Sequence, residues 1–226
     1  MNKRNFIISI MAIFSCVLLF VIEQVLQAPY LWKTLAKMGL FLMIPLLFIR
    51  FVLEKPILAF LNLRVIDLKN LRLGFLFGFI SMGIVIGSFF LFRPFIDVDS
   101  IMTDLVERQE ITKDIFLFIA LYITFGNSLL EEFYFRGFLF LQMYEKGSKR
   151  FAYLFSALLF ALYHVAIFAA WFNIGIMLLA LLGLFAVGLL LNWLNLKSKN
   201  FLNSWTLHIM ADIGVMVVGF YLFGFF

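Results

Sequence analysis

Three short stretches of the chain carry residues that an apolar environment should exclude, at spacings that suit proton chemistry. The first is Glu131-Glu132-Phe133-Tyr134-Phe135-Arg136. The second, Phe160-Ala161-Leu162-Tyr163-His164, holds one of the chain's 2 histidines, and the third pairs the other, His208, with Asp212. In a helix, Glu132 and Arg136 are four apart with the acid N-terminal, the favoured order for an ion pair. Neighbouring residues point about 100° apart, so Glu131 escapes that contact and stays free. Phe160 lies one turn before His164, and His208 shares a face with Asp212. A carboxylate and two imidazoles can activate water and pass its proton on, which is the equipment of a hydrolase. Each stretch also has a plain packing reading: a polar trio pinning helices, a histidine bonding across a helix contact, a His–Asp anchor. Three separate segments that each bear a costly group argue for one shared site.

The elements that must position these residues follow from composition. Of 226 residues, 65% are hydrophobic and 14% charged, and Phe occurs 32 times against 18 Lys plus Arg. Average soluble domains are about 25% charged, so lipid is the natural solvent of this chain. Disorder and a disulfide scaffold are excluded, and the single Cys16 has no internal partner. Seven stretches reach the ~20 apolar residues that cross a bilayer: 6–26, 31–53, 73–93, 115–143, 151–170, 174–196 and 201–225. The fold class is all-α, a polytopic membrane helical bundle. Residues 56–72 mix apolar and basic side chains in the manner of an additional interfacial helix, and 97–114 reads as an acidic hydrophilic loop. Met1 to Arg4 and the run behind them resemble a signal peptide, but the run is too long and lacks a small-x-small site. It reads as a retained first span. The chain is one domain, 1–226, with N-terminal packing spans in 1–114 and the site-bearing core in 115–226.

Charge sets an orientation. With a cytoplasmic N-terminus, the inner segments carry Lys3, Arg4, Arg50, Lys55, Arg64, Lys69, Arg72, Lys146, Lys149, Arg150, Lys197 and Lys199. The outer segments carry Lys33, Lys37, Arg93, Arg108 and Lys113. That excess marks the inner face and places the C-terminus outside. It also explains the net charge of +5 through anionic lipid rather than nucleic acid. Counted from the basic ends at ~1.5 Å per residue, Glu131 and His164 lie at similar depth, with His208 and Asp212 overlapping them. Ionisable groups there cost ~2.5–3.5 kcal/mol each. A cavity near mid-membrane is expected, open toward the cytoplasmic side.

In this order on separate helices, Glu-Glu-x-x-x-Arg, Phe-x-x-x-His and His-x-x-x-Asp resemble the motifs of the CAAX protease and bacteriocin-processing family (CPBP, or Abi). The resemblance covers about 115–212. It implies an intramembrane protease in which Glu131 is the catalytic glutamate and His164 stands beside the attacking water. His208 and Asp212 match the last catalytic pair, whose second member is Asn in many relatives. Glu132, Arg136 and Phe160 are its structural support. The implied substrate is a membrane-anchored peptide or protein, and the setting is a bacterial cytoplasmic membrane.

Two mechanisms stay open at this stage. In one, Glu131 acts without a metal; in the other, Glu131, His164, His208 and Asp212 hold a divalent ion such as Zn2+, since two His and one carboxylate match the ligand count of catalytic zinc. The rival to proteolysis is a scaffold of the same fold serving bacteriocin immunity or sensor-kinase regulation. A small transporter is disfavoured, because no inverted repeat is evident. Other polar residues receive bland readings: Glu23 snorkels, Asn127 and Ser128, one turn before Glu131, are read as packing in preference to lining its cavity, Tyr134 and Tyr163 are ordinary aromatics, and Asn173, Asn203 and Ser204 sit at helix ends.

Overall fold

The computed structural model describes residues 3–57, 60 and 68–226. Among these there is no strand, and seven helical stretches are long and apolar enough to cross a membrane: Lys3–Val25, Tyr30–Val52, Leu71–Phe95, Lys113–Glu145, Lys149–Phe168, Ile174–Ser198 and Leu202–Leu222. Each of the expected spans appears. The interfacial helix expected over 56–72 falls largely on 58–59 and 61–67, outside the described residues; Leu68 onward is already the start of the third span's helix, Leu68–Phe92.

The outer surface explains why lipid must surround the bundle. Phe14, Phe51, Phe79, Phe118 and Leu182 are all more than half exposed, and a water-facing protein would not leave such a belt uncovered. Inside, aromatic packing centres on the fourth span. Phe41 stacks on Tyr134 at 4.0 Å between centroids and meets Phe135 edge-on at 5.3 Å. Phe133, Phe135, Phe138 and Phe140 join the same buried cluster.

Two features of the backbone position the site. The fourth span is not one regular α-helix. Its turns widen to π geometry over Tyr122–Asn127 and again over Glu132–Phe140, with the α-helical turn Ser128–Glu131 between them. Such widened turns are frequent at functional sites. Here the change of pitch falls between the two glutamates. The fifth span breaks at its histidine: an α-helix runs over Lys149–Tyr163, and a short turn resumes at Val165–Phe168.

The seventh span packs along the third at glycines. A Cβ added at Gly78 would lie 2.7 Å from the Met210 Cβ, and one at Gly74 would lie 2.6 Å from the Asn203 carbonyl oxygen. Only the missing side chains permit this approach. The fifth and sixth spans meet at Gly188 and Ala157 and are also tied by polar contacts: Tyr153 donates to the Leu189 carbonyl (2.8 Å), and Asn192 donates to that of Tyr153 (2.9 Å). The sixth span starts as expected, with Asn173 accepting from the amides of Gly175 (3.0 Å) and Ile176 (3.1 Å), an ordinary N-cap.

The acidic segment 97–114 departs from the loop expected. Asp97 caps a helix over Val98–Thr103 that continues as a wider turn over Asp104–Arg108. Its side chains are bound to the spans beside it rather than to water alone.

Candidate active site

The fourth, fifth and seventh spans bring Glu131, His164, His208 and Asp212 together. Glu131 is 2% exposed. Its Oε2 lies 3.9 Å from His164 Nε2 and 3.8 Å from His208 Nε2, and among the described residues it has no hydrogen-bond partner. The Asp212 Oδ1 stands 3.7 Å from His208 Nε2, while its Oδ2 is buried and likewise unpartnered.

Both imidazoles are aimed by their other nitrogen. The His164 amide bonds to the Ala161 carbonyl (3.1 Å), one residue short of the α-helical partner, and the ring Nδ1 lies 2.8 Å from the carbonyl oxygen of Phe160. A carbonyl only accepts, so Nδ1 carries the proton and neutral His164 turns a lone pair on Nε2 toward Glu131. His208 Nδ1 lies 2.9 Å from Glu132 Oε1, which orients that ring in the same sense. The spacing of 3.8–3.9 Å from Oε2 is too long for direct hydrogen bonds and leaves room for a bridging water or substrate atom.

Glu132 pairs with Arg136 at 3.1 Å, both fully buried, as their spacing predicts. The guanidinium also lies 4.0 Å from the centre of the Phe160 ring. That ring is 4.8 Å from His164 and 5.8 Å from His208. Phe160 is therefore the wedge on which the ion pair and both imidazoles rest. No spacing in the sequence links Glu132 to His208, yet Glu132 serves Arg136 and that ring at once.

Four further residues belong here and carry corrections. The charge count places Lys37 among the outer segments. It is buried in the second span, and its Nζ lies 2.7 Å from Glu131 Oε1, so Glu131 is not the unneutralised acid expected. Asn127 donates to the same oxygen (2.8 Å), as does the Tyr163 hydroxyl (3.2 Å), and neither is mere packing. Lys37 also donates to Asn127 Oδ1 and to the Tyr163 hydroxyl. Glu23 does not snorkel; it is buried and paired with Lys33 at 2.7 Å. Ser128 fits its packing reading, taking the indole proton of Trp205 (3.0 Å). A lysine seven residues inside a span was the available signal for Lys37.

A metal fits these residues poorly. Among the described residues no group of three or more His, Cys, Asp or Glu has metal-holding geometry, and the carboxylate central to any such set already holds an ammonium at 2.7 Å.

The site opens into a cavity of about 300 Å³ whose walls include Glu23, Tyr30, Lys33 and Trp171. These lie at the end of the bundle where the acidic segment docks: Lys33 donates to Gln109 (2.6 Å), and Trp171 donates to Asp104 (2.8 Å). None of the lining residues comes from the basic loops near Arg4, Arg150 or Lys199. The expected opening toward the basic face is corrected accordingly.

Fold and site together define a polytopic helical membrane protein with an acid–imidazole centre buried between its spans. Residues 113–214 match the family described as type II CAAX prenyl endopeptidase Rce1-like, which agrees with the family that the three motifs resemble. No curated protein and no solved structure matches the chain.

Proposed function

We propose that the protein is an intramembrane endopeptidase acting on a membrane-anchored peptide or protein, by a glutamate-dependent mechanism without a metal. The observation that carries this reading is Glu131 Oε2, buried and unpartnered and faced by two Nε2 atoms at 3.8 and 3.9 Å. A water held there by Glu131 and His164 attacks the scissile carbonyl carbon and gives its proton to Glu131 Oε2. The carbonyl oxygen becomes an oxyanion, which a protonated His208 steadies from Nε2 while Glu132 balances the ring from Nδ1. Collapse of the tetrahedral centre breaks the C–N bond, and the proton passes from Glu131 to the departing amine. One well-placed donor to such an oxyanion is worth ~2.7–4 kcal/mol in other enzymes.

The charge distribution supports an N-terminus in the cytoplasm and a C-terminus outside. On that orientation the cavity walls run toward the outer leaflet, which favours a membrane-embedded or exported peptide over a soluble cytoplasmic tail. Lipid is the other partner; nothing calls for nucleic acid.

The test is cleavage by the purified protein of a farnesylated CAAX-type peptide and of a set of transmembrane peptides, read by mass spectrometry with and without chelator. Cleavage indifferent to chelator and reduced ~100-fold or more in Glu131→Gln and His164→Ala is the expected result. Equal cleavage by the variants and the parent would leave a scaffold of this fold as the better reading.

A further inference from the structure

Lys37 lies on the second span, far outside the residues 113–214 that match the family, yet it meets the central acid directly. Its ammonium has three protons to give, and they reach Glu131 Oε1, Asn127 Oδ1 and the Tyr163 hydroxyl. The aromatic walls around it restrict it further: Nζ lies 4.8 Å from the centre of the Tyr163 ring and 5.7 Å from that of Phe41. Phe41 is itself stacked on Tyr134. Lys37 therefore has little room to reorient.

The effect on Glu131 is asymmetric. Oε1 receives Lys37 (2.7 Å), Asn127 (2.8 Å) and Tyr163 (3.2 Å), while Oε2 receives nothing. A carboxylate so held cannot exchange its two oxygens by rotating. We infer that Lys37 is a positioning residue of the site, fixing one oxygen of Glu131 so that the other is presented bare to the two imidazoles. The inference rests on the hydrolytic reading above. It makes the site a joint product of the two halves of the chain: the family segment supplies the reacting groups, and the second span supplies the cation that aims them. Preorganisation of this kind lowers the reorganisation needed when the water is activated.

A lysine that merely neutralised a buried acid would affect folding and little else, so the test must read the chemical step. With any peptide that the parent cleaves, Lys37→Met should lower kcat ~100-fold while KM stays within ~3-fold, the pattern of an interaction that matters in the transition state. Methylammonium added to Lys37→Ala should restore at least ~10-fold of the lost kcat, because a free cation can enter the vacated volume. Asn127→Ala removes a second donor from the same oxygen and leaves the charge in place; a fall of ~10-fold in kcat is expected, and this variant carries the test if the Lys37 variants do not fold. Unchanged kcat in folded Lys37→Met, or in Asn127→Ala where Lys37→Met cannot be purified, overturns the inference. Glu131→Gln separates the two levels: an inactive Glu131→Gln beside fully active Lys37 and Asn127 variants removes the positioning role alone. An active Glu131→Gln, or a parent that cleaves none of the peptides, removes the hydrolytic reading and this one with it.

Discussion

Lys33 and Lys37, one turn apart on the second span, belong to two buried polar clusters that are built on opposite rules. Around Lys33 the bonding is complete. Lys33 bridges Glu23 and Gln109, and Asp104 accepts from Arg108, Gln109 and Trp171. Arg108 also reaches the Glu23 carbonyl, and no buried side-chain atom of these six residues lacks a partner. Around Lys37 the bonding is lopsided, saturated on Glu131 Oε1 and bare on Glu131 Oε2 and Asp212 Oδ2. A closed network holds elements together. Buried polar atoms left open beside one another mark where a further molecule is received, since such atoms are costly without a partner.

The comparison can be broken most forcefully at Glu132, whose Oε1 holds both Arg136 and His208. Glu132→Gln leaves the fully buried Arg136 without its counter-ion, a change that typically costs ~3–5 kcal/mol. Thermal unfolding in detergent should record a loss of that order; a loss below ~1 kcal/mol would mean that the Phe160 face alone sustains the guanidinium.

A smaller effect is expected at Asp104, and it depends on pH. Burial by itself would raise this carboxyl, but the hydrogen bonds from Arg108, Trp171 and Gln109 outweigh it and hold the group below its ordinary value of 3.8. Its contribution is therefore fully present above that value and is lost as pH falls beneath it. Between about pH 5 and about pH 3 the unfolding temperature of the parent should fall more steeply than that of Asp104→Asn. Parallel curves for the two proteins would show that the outer network adds nothing to the fold.

The smallest change is expected at Asp212. Its open Oδ2 is a burden in the resting protein, so Asp212→Asn should leave stability equal or higher by ~1 kcal/mol and cleavage within ~3-fold. A tenfold or greater loss of cleavage would instead move Asp212 into the set of groups that handle the proton.

Much of the fold was legible because lipid imposes so plain a rule. Spans reveal themselves by apolar length, and the groups that violate the rule reveal themselves by their cost. Hence Glu131, His164, His208 and the Glu132–Arg136 pair were readable one helix at a time. What escaped were relations between helices. Glu23 sits near a span end, where a charge ordinarily reaches water, and only Lys33 of the second span and Arg108 of the acidic segment take it inside; Lys37 lies deeper, and only the packing of the second span against the fourth shows which acid it meets. Asn127 and Tyr163 are common in helix contacts, and no spacing distinguishes a donor to a carboxylate from a packing residue. The direction of the cavity depends on which end the spans splay at, a property that hydropathy does not encode. The acidic segment looked like a loop because charged residues interrupt its apolar ones, while its order comes from bonds to Lys33, Trp171 and the backbone of Glu23 and from the packing of Ile111, Met102 and Leu105 in a second hydrophobic cluster.

The third span carries none of the candidate site residues, yet its close contact at Gly74 and Gly78 seats the seventh span, on which His208 lies. Even one added methyl at Gly78 would drive the seventh span outward and stretch the separation between acid and imidazole. On the hydrolytic reading, variation in the third span would alter turnover while every motif remained intact.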